Sequence, residues 1–423
     1  MKKITDKSRV IRMTMLFMIL YMISYMTRIN YGAVISEMVL AEGIQKSAAS
    51  LALTASAVTY GAGQILSGFM GDRTEPKKLI FTGLVMTIMM NLAIPFCTTT
   101  YARMAVWGVN GLAQAFMWPP LVKIMSALFT EEDYKKSCVV VTWGSSFGTV
   151  LVYLIAPICI LLAGWKSIFF LSAAAAVVMS AVWLKKCPQI GTGDKKVITE
   201  TNRQSVFDMR AVLIIGAIMA VIVLQGVLRD GVMTWIPSYV SETFNLSSKT
   251  AILTSVILPL FSIAALQLVS VIYRNIVKNE LLLTGILFMA GCAAAAAMFL
   301  ANGASAVASV ILAALLNGCM HGVNLMLICM IPPYFAKYGR ISFISGMLNF
   351  CTYIGSAVSA SGLAAFSEKC GWAETLLLWG GIAFAGGTVC CILCRVWKRF
   401  ADRGLDGQDF NCYNKHERNG VVC

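Results

Sequence analysis

The chain has 423 residues, of which 58% are hydrophobic and only 13% charged, against about 25% charged in an ordinary soluble domain. A water-soluble globule cannot bury that much apolar side chain, and disorder requires the opposite bias, so a soluble enzyme and a disordered chain are both excluded. The formal net charge is +14; in a soluble domain this would point to nucleic acid, but here its placement points to a membrane.

The N-terminal MKKITDKSRVIR runs straight into a long apolar stretch with no small-residue cleavage site, so the first segment is read as an uncleaved span. Twelve apolar segments follow one another near 13–36, 47–70, 79–97, 103–126, 137–163, 165–184, 209–236, 250–273, 281–301, 304–331, 343–366 and 373–394. A bilayer-crossing helix takes about 20 such residues. Lipid cannot satisfy an open backbone, so each segment must be a helix. The expected fold is an all-α membrane protein of twelve transmembrane helices in two six-helix repeats. The first half is residues 1–185, a cytoplasmic linker is 186–208, the second half is 209–394, and a cytoplasmic tail is 395–423.

Basic residues set the orientation. The two tails, the linker and the loops on their side carry 26 Lys and Arg, and the opposite side carries five, namely Lys46, Arg103, Lys166, Lys249 and Lys369. By the positive-inside rule both termini are cytoplasmic. The basic excess therefore reports topology, and no nucleic-acid partner is expected. The 14 cysteines lie mostly inside apolar runs and show no disulfide framework. Cys390, Cys391 and Cys394 cluster at the inner end of the last segment, where packing is a better reading than lipid or metal attachment. Asn245-Leu246-Ser247 is a glycosylation sequon only where a host pathway glycosylates.

The halves resemble each other. Gly111, Gly148, Gly164 and Trp165 recur as Gly318, Gly355, Gly371 and Trp372, all 207 residues on. Arg28 and Arg229 are 201 apart, and each precedes a serine, Ser47 or Ser248, by 19 residues. Two parallel six-helix halves joined by a cytoplasmic linker form a transporter plan.

Three basic residues remain inside the segments: Arg28, Lys123 and Arg229. Lys123 is near an inner end and is expected to snorkel to the headgroups. Arg28 and Arg229 lie deep, where an arginine costs about 2.5–3.5 kcal/mol on insertion scales. Structural salt bridges are one reading, but acids are few. Asp230 adjoins Arg229, yet neighbours on a helix point about 100° apart, and Glu37 is at the outer mouth. The alternative is an anion site, for which the planar guanidinium fork suits phosphate.

At these residues the sequence resembles the major facilitator superfamily and, within it, the organophosphate:phosphate antiporter family. The loop after the second segment reads Gly68-x-x-x-Asp72-Arg73-x-x-x-Lys77-Lys78, which is similar to the superfamily's inner-loop signature. The first segment reads Tyr25-x-x-Arg28-x-Asn30-Tyr31, the fourth Trp118-Pro119-Pro120, and the seventh Arg229-x-Gly231-x-x-x-Trp235-x-Pro237-x-Tyr239. The resemblance implies a rocker-switch carrier with Arg28 and Arg229 facing a central cavity lined by segments 1, 4, 7 and 10. It also implies exchange of a phosphorylated metabolite for inorganic phosphate. Two positions depart from the family pattern: Gln64 stands where members carry a cavity lysine, and Phe147 where they carry a histidine.

The expected substrate-binding set is Arg28, Arg229, Gln64, Tyr25, His321, Asn324 and Trp118, with Phe147 narrowing the cavity. His321 is repeat-equivalent to Gln114, and a lone membrane histidine is either packing glue or an anion ligand. Tyr25, Tyr60, Trp118 and Trp143 are ligand contacts or packing aromatics. Asn324 and Asn349 face the bundle. No nucleotide-binding loop, catalytic constellation, cofactor or metal set is read, so the energy must come from gradients. The expected function is secondary transport of a small organic anion, such as a sugar or glycerol phosphate exchanged for phosphate, by a monomer in the plasma or inner membrane. A transporter-shaped sensor of a sugar phosphate and a carrier of a non-phosphorylated solute are the competing readings. The unpaired arginines argue against a cationic substrate.

Overall fold

The computed structural model describes residues 3–189, 209–245, 257–301 and 303–405. Most of the expected linker (190–208), Ser248, Lys249, the last two residues of the sequon and the tail 406–423 lie outside the described residues. Among those described, all regular elements are helical, with one isolated bridge between Ile4 and Phe129.

The helices are α1 Lys7–Glu42, α2 Lys46–Arg73, α3 Pro76–Ala93, α4 Thr100–Ala115, α5 Trp118–Leu128, α6 Glu131–Ala163, α7 Ser167–Lys186, α8 Met209–Phe244, α9 Ile257–Asn275, α10 Glu280–Leu300, α11 Ala306–Asn324, α12 Ile341–Val358, α13 Ala364–Cys370 and α14 Trp372–Leu405. Local chemistry sets their ends. The side chains of Asp6, Thr99, Thr130, Asn279 and Ser305 accept N-cap hydrogen bonds at α1, α4, α6, α10 and α11, which satisfies donors that a helix start leaves open. Glu131, Glu132 and Asp133 occupy the first turn of α6 and Lys185 and Lys186 the last turn of α7, each matching the helix dipole.

Nine stretches among the described residues are long and apolar enough to cross a membrane by themselves. The expected second, fourth and eighth segments are not among them, each for a visible reason. Small and hydroxyl residues dilute the hydropathy of α2. The fourth segment is broken between α4 and α5, because Pro119 and Pro120 lack the N–H that would bond back across Ala115 and Phe116. The eighth begins outside the described residues, leaving the shorter apolar helix Leu260–Asn275.

The chain divides into two compact units. One comprises residues 1–195 with 345–353, and the other 196–344 with 354–423. Inside each unit the spaced glycines explain themselves. A Cβ at Gly148 would meet the carbonyl oxygen of Met22 on α1 at 2.5 Å, and one at Gly355 would press even closer on that of Val223 on α8. Met22 and Val223 are themselves 201 apart, so the same helix crossing is built twice. Gly164 and Gly371 both take positive φ, 76° and 95°, at equivalent corners before Trp165 and Trp372, a backbone region that favours glycine.

A core cluster of the first unit gathers Tyr31, Trp107, Trp165 and Phe169, with Tyr31 and Trp107 rings 5.1 Å apart. The Tyr31 hydroxyl donates to the carbonyl of Ala49. In the second unit Tyr239 is fully buried and its ring lies 5.7 Å from Trp372.

The inner-loop signature acts as helix-end caps. Lys77 Nζ donates to the carbonyls of Leu184 and Cys187, at 2.8 and 2.6 Å, and so closes the C-terminus of α7. Lys123, expected to snorkel, donates to the carbonyls of Gly71 and Asp72 at 2.8 and 3.1 Å, which are open at the end of α2, and lies 3.8 Å from the Asp72 carboxylate. The twelve cysteines among the described residues are free thiols.

Candidate functional site

In the first unit the site begins with α1. Tyr25 and Arg28 are three residues apart and share a helix face. Asn30 and Tyr31 turn inward, where Asn30 Nδ2 donates to Asn91 Oδ1 at 2.7 Å. The Arg28 guanidinium carbon lies 4.1 Å from the Tyr25 ring centroid and 4.7 Å from that of Tyr60. Tyr353 and Tyr21 complete its electrostatic surroundings. Among the described residues no carboxylate forms an ion pair with Arg28. Cation–π contact partly replaces the lost hydration, and it leaves the positive charge without an ion-pair partner among the described residues.

The aromatic set is continuous. The Trp118 and Tyr21 rings lie 5.0 Å apart, tilted by 45°, Tyr21 meets Tyr25 at 5.1 Å, and Tyr60 meets Tyr353 at 4.7 Å. Trp118 is 4% exposed, and its indole N–H has no partner among the described residues. Gln64 is fully buried; its Oε1 accepts from Asn349 Nδ2 at 2.9 Å, while its own Nε2 has no partner among the described residues.

Behind Arg28 a buried polar network holds α1 to α3 and α4. The Thr27 carbonyl accepts from both Asn91 and Asn110 at 3.1 Å. Gln114 Nε2 donates to the Thr27 hydroxyl at 2.8 Å, and the Ser24 hydroxyl donates to Gln114 Oε1 at 2.5 Å. The residue before Arg28 is thus pinned by three side chains.

In the second unit Arg229 is arranged differently, and this overturns one expectation. Helical geometry argues against Asp230 as a partner, so that no carboxylate would satisfy Arg229. The structure shows Arg229 Nε donating to Asp230 Oδ1 at 2.7 Å and Nη2 to Oδ2 at 3.1 Å. The 100° separation applies to Cβ directions; a guanidinium on three methylenes can fold back to its neighbour. Nη1 donates to Asn324 Oδ1 at 3.2 Å, and the Ser356 hydroxyl donates to Asp230. His321, one turn from Asn324 on α11, is within electrostatic reach of Arg229 and Asp230. Immediately after Asn324 the helix widens into a π turn over Leu325–Met330, a departure that often marks functional sites.

The expected residues therefore fall into two groups: Tyr25, Arg28 and Trp118 with Gln64 nearby in the first unit, and Arg229, His321 and Asn324 in the second. Phe147, on α6, is 44% exposed. Sequence reading misses Asp230, Ser356, Tyr353 and the Gln64–Asn349 pair. It also misses Arg103, which it counts as an outer loop residue; Arg103 is 1% exposed and pairs with Glu42. The stretch 345–353 carries two of these; Asn349, a polar residue in an apolar segment, is expected to face the bundle, but its partner Gln64 is not foreseen, and no local signal marks Tyr353.

The chain is similar to known proteins over most of its length. Residues 17–360 match the Major Facilitator Superfamily. A glycerol-3-phosphate transporter of Bacillus subtilis is 23% identical over 358 residues, 77% of this chain and 79% of its own. A probable hexose phosphate transport protein of Chlamydia muridarum is 23% identical over 166 residues, 39% of this chain and 36% of its own. The match thus spans only about a third of that relative. In fold, the outward conformation of the transporter FucP aligns with TM-score 0.72 over 92% of this chain and 99% of its own, at 12% identity. With the paired helix crossings and the membrane-length helices already described, the match over residues 17–360 establishes that this multi-pass membrane protein belongs to the Major Facilitator Superfamily.

Proposed function

We propose that the protein is a secondary carrier of a small organic anion, a phosphorylated metabolite such as a sugar or glycerol phosphate, exchanged for inorganic phosphate by alternating access. One observation carries this reading: Arg28 stands among tyrosine rings with no counter-charge from the described residues. A charge so placed in a membrane protein marks a ligand path, and the ligand that cancels it is an anion. The names of the relatives from Bacillus subtilis and Chlamydia muridarum support the phosphate-ester class. In this reading Arg28 grips the phosphoryl oxygens, and Tyr25 and Tyr60 orient the guanidinium. Gln64 offers its unpartnered amide N–H, and Trp118 backs the aromatic wall. Arg229, Asn324 and His321 are the substrate-binding residues read in the second unit. The empty carrier holds a bare charge that resists desolvation. The loaded one is neutralised and can reorient, which couples entry of one anion to exit of another. The carrier is read as a monomer in the cell membrane with cytoplasmic termini.

The test is uptake into proteoliposomes of the purified chain. Vesicles loaded with phosphate should accumulate labelled phosphate and labelled glycerol phosphate, and vesicles without internal anion should not. Uptake independent of internal anion would refute exchange. Stabilisation by phosphate esters with no uptake would favour the sensor reading instead.

A further inference from the structure

We infer that Asp230 is a proton-binding residue: an anion takes the Arg229 fork when Asp230 gives it up, and a proton from solvent neutralises the released carboxylate. The inference rests on the reading of Arg229 as a substrate-binding residue and makes anion binding there proton-coupled. Arg229, Asp230, His321, Asn324 and Ser356 all lie in the second unit.

The edge of the guanidinium that suits an oxyanion is already taken. Nε and Nη2 of Arg229, the two donors that meet a carboxylate or phosphoryl group side by side, bond Asp230 Oδ1 and Oδ2 at 2.7 and 3.1 Å. The two side chains are 17% and 31% exposed, so the pair is not sealed from an approaching ligand. An anion at that edge must displace Asp230, and the displaced carboxylate stays close because it belongs to the next residue along α8. Two negative charges so near each other repel where water is scarce, and a proton on one of them removes the repulsion. Binding of the anion and binding of the proton therefore favour each other, and the coupling is reciprocal. The neighbours suit both states. Asn324 Oδ1 accepts from Nη1 at 3.2 Å, which keeps the guanidinium in place when Asp230 leaves. The Ser356 hydroxyl donates to the carboxylate and, being an acceptor as well as a donor, can receive the acid O–H. Of the elements packed on α8, α11 presents His321 to the pair. The turn Ser359–Leu363 and α12 contain no charged residue. α14 carries its charges toward its ends, Glu374 in the first turn and Arg395 onward at the other, and α8 likewise has Arg210 and Glu242 near its ends.

The experiment uses the purified full chain and dimethyl phosphate, an anion whose charge does not change with pH. Calorimetry in buffers of different ionisation enthalpy counts the protons taken up per anion bound. The wild-type chain should take up a proton on binding, and its apparent affinity should rise as pH falls, by up to about tenfold per pH unit. Asp230→Asn should bind without proton uptake, whereas His321→Gln should still take up a proton. Infrared difference spectra of the wild-type chain should gain the carbonyl band of a protonated carboxylic acid on anion binding, and Asp230→Asn should lack it. If Asp230→Asn does not fold, Ser356→Ala decides the matter, because loss of the hydroxyl partner should move that band. Binding by the wild-type chain without proton uptake, uptake that survives in Asp230→Asn, or a band unmoved in Ser356→Ala overturns the inference. Absence of binding by the wild-type chain overturns it too, while phosphate exchange in the vesicle assay decides separately whether the carrier reading stands.

Discussion

Arg28 and Arg229 have the same residue type at matching repeat positions, yet their surroundings give them different consequences. Lysine keeps a positive charge but not the planar fork. Arg28→Lys should therefore lose a charge-assisted hydrogen bond to phosphate, worth about 1.5–3 kcal/mol, or roughly 10- to 150-fold in affinity. Its folded stability should stay close to the wild type, because Arg28 holds no ion pair among the described residues. Arg229→Lys should weaken both anion exchange and thermal stability, since a lysine cannot reproduce the fork that bonds Asp230 twice and Asn324 at once. Uptake and melting measured on the same vesicle preparations separate the two patterns. Full exchange activity in Arg28→Lys would show that the guanidinium is not the ligand, and equal loss of stability in both variants would show that Arg28 is structural.

At the scale of elements, helix contacts depend on small residues and on buried polar clasps. Replacing Gly148 or Gly355 by Ala drives a methyl group into a facing backbone carbonyl. Backbone cannot move aside as a side chain can, so each variant should lose about 1–3 kcal/mol, by similar amounts, in thermal unfolding. A neutral Gly355→Ala beside a damaging Gly148→Ala would argue that the two crossings are not equivalent. A second clasp lies at the start of α10. Glu280 is 2% exposed and accepts from the Tyr334 hydroxyl at 2.7 Å, from Trp397 Nε1 at 2.8 Å and from the Tyr273 hydroxyl. It draws α9, α14 and the turn after α11 onto one carboxylate. Glu280→Gln turns one acceptor oxygen into a donor facing donors, so at least about 2 kcal/mol of stability should be lost. An unchanged melting temperature would mean that the clasp carries no net stabilisation.

At the scale of the whole molecule, orientation should follow from charge. The 26 to five division of basic residues predicts both tails in the cytoplasm. A reporter that is active only in the cytoplasm, fused after Cys423, should be active. Activity of an exported reporter at the same position would reverse the topology.

What the sequence determined by itself is what can be read along a line. Helix number and span length depend on apolar run length, and the placement of Lys and Arg gives the expected sidedness. The resemblance carried by the Arg28 and Arg229 motifs agrees with the family match over residues 17–360. The Gly148 and Gly355 spacing already carried the internal repeat, because a close helix crossing demands glycine wherever it occurs. The reading of 103–126 as one continuous segment misses the break before Trp118, although Pro119 and Pro120 impose it by removing helical donors. Only the tertiary structure decided what each polar side chain meets. Arg103 finds Glu42 and Gln64 finds Asn349 across long stretches of chain, and no spacing rule encodes such pairs. Asp230 adjoins Arg229 in sequence and still escapes the helical argument, because Cβ direction does not fix where a long guanidinium ends. Glu280, one acid among several near loop ends, becomes buried only when three helical elements converge on it. Partner choice is set by which faces pack together and which rotamers then remain, and those are properties of the folded bundle.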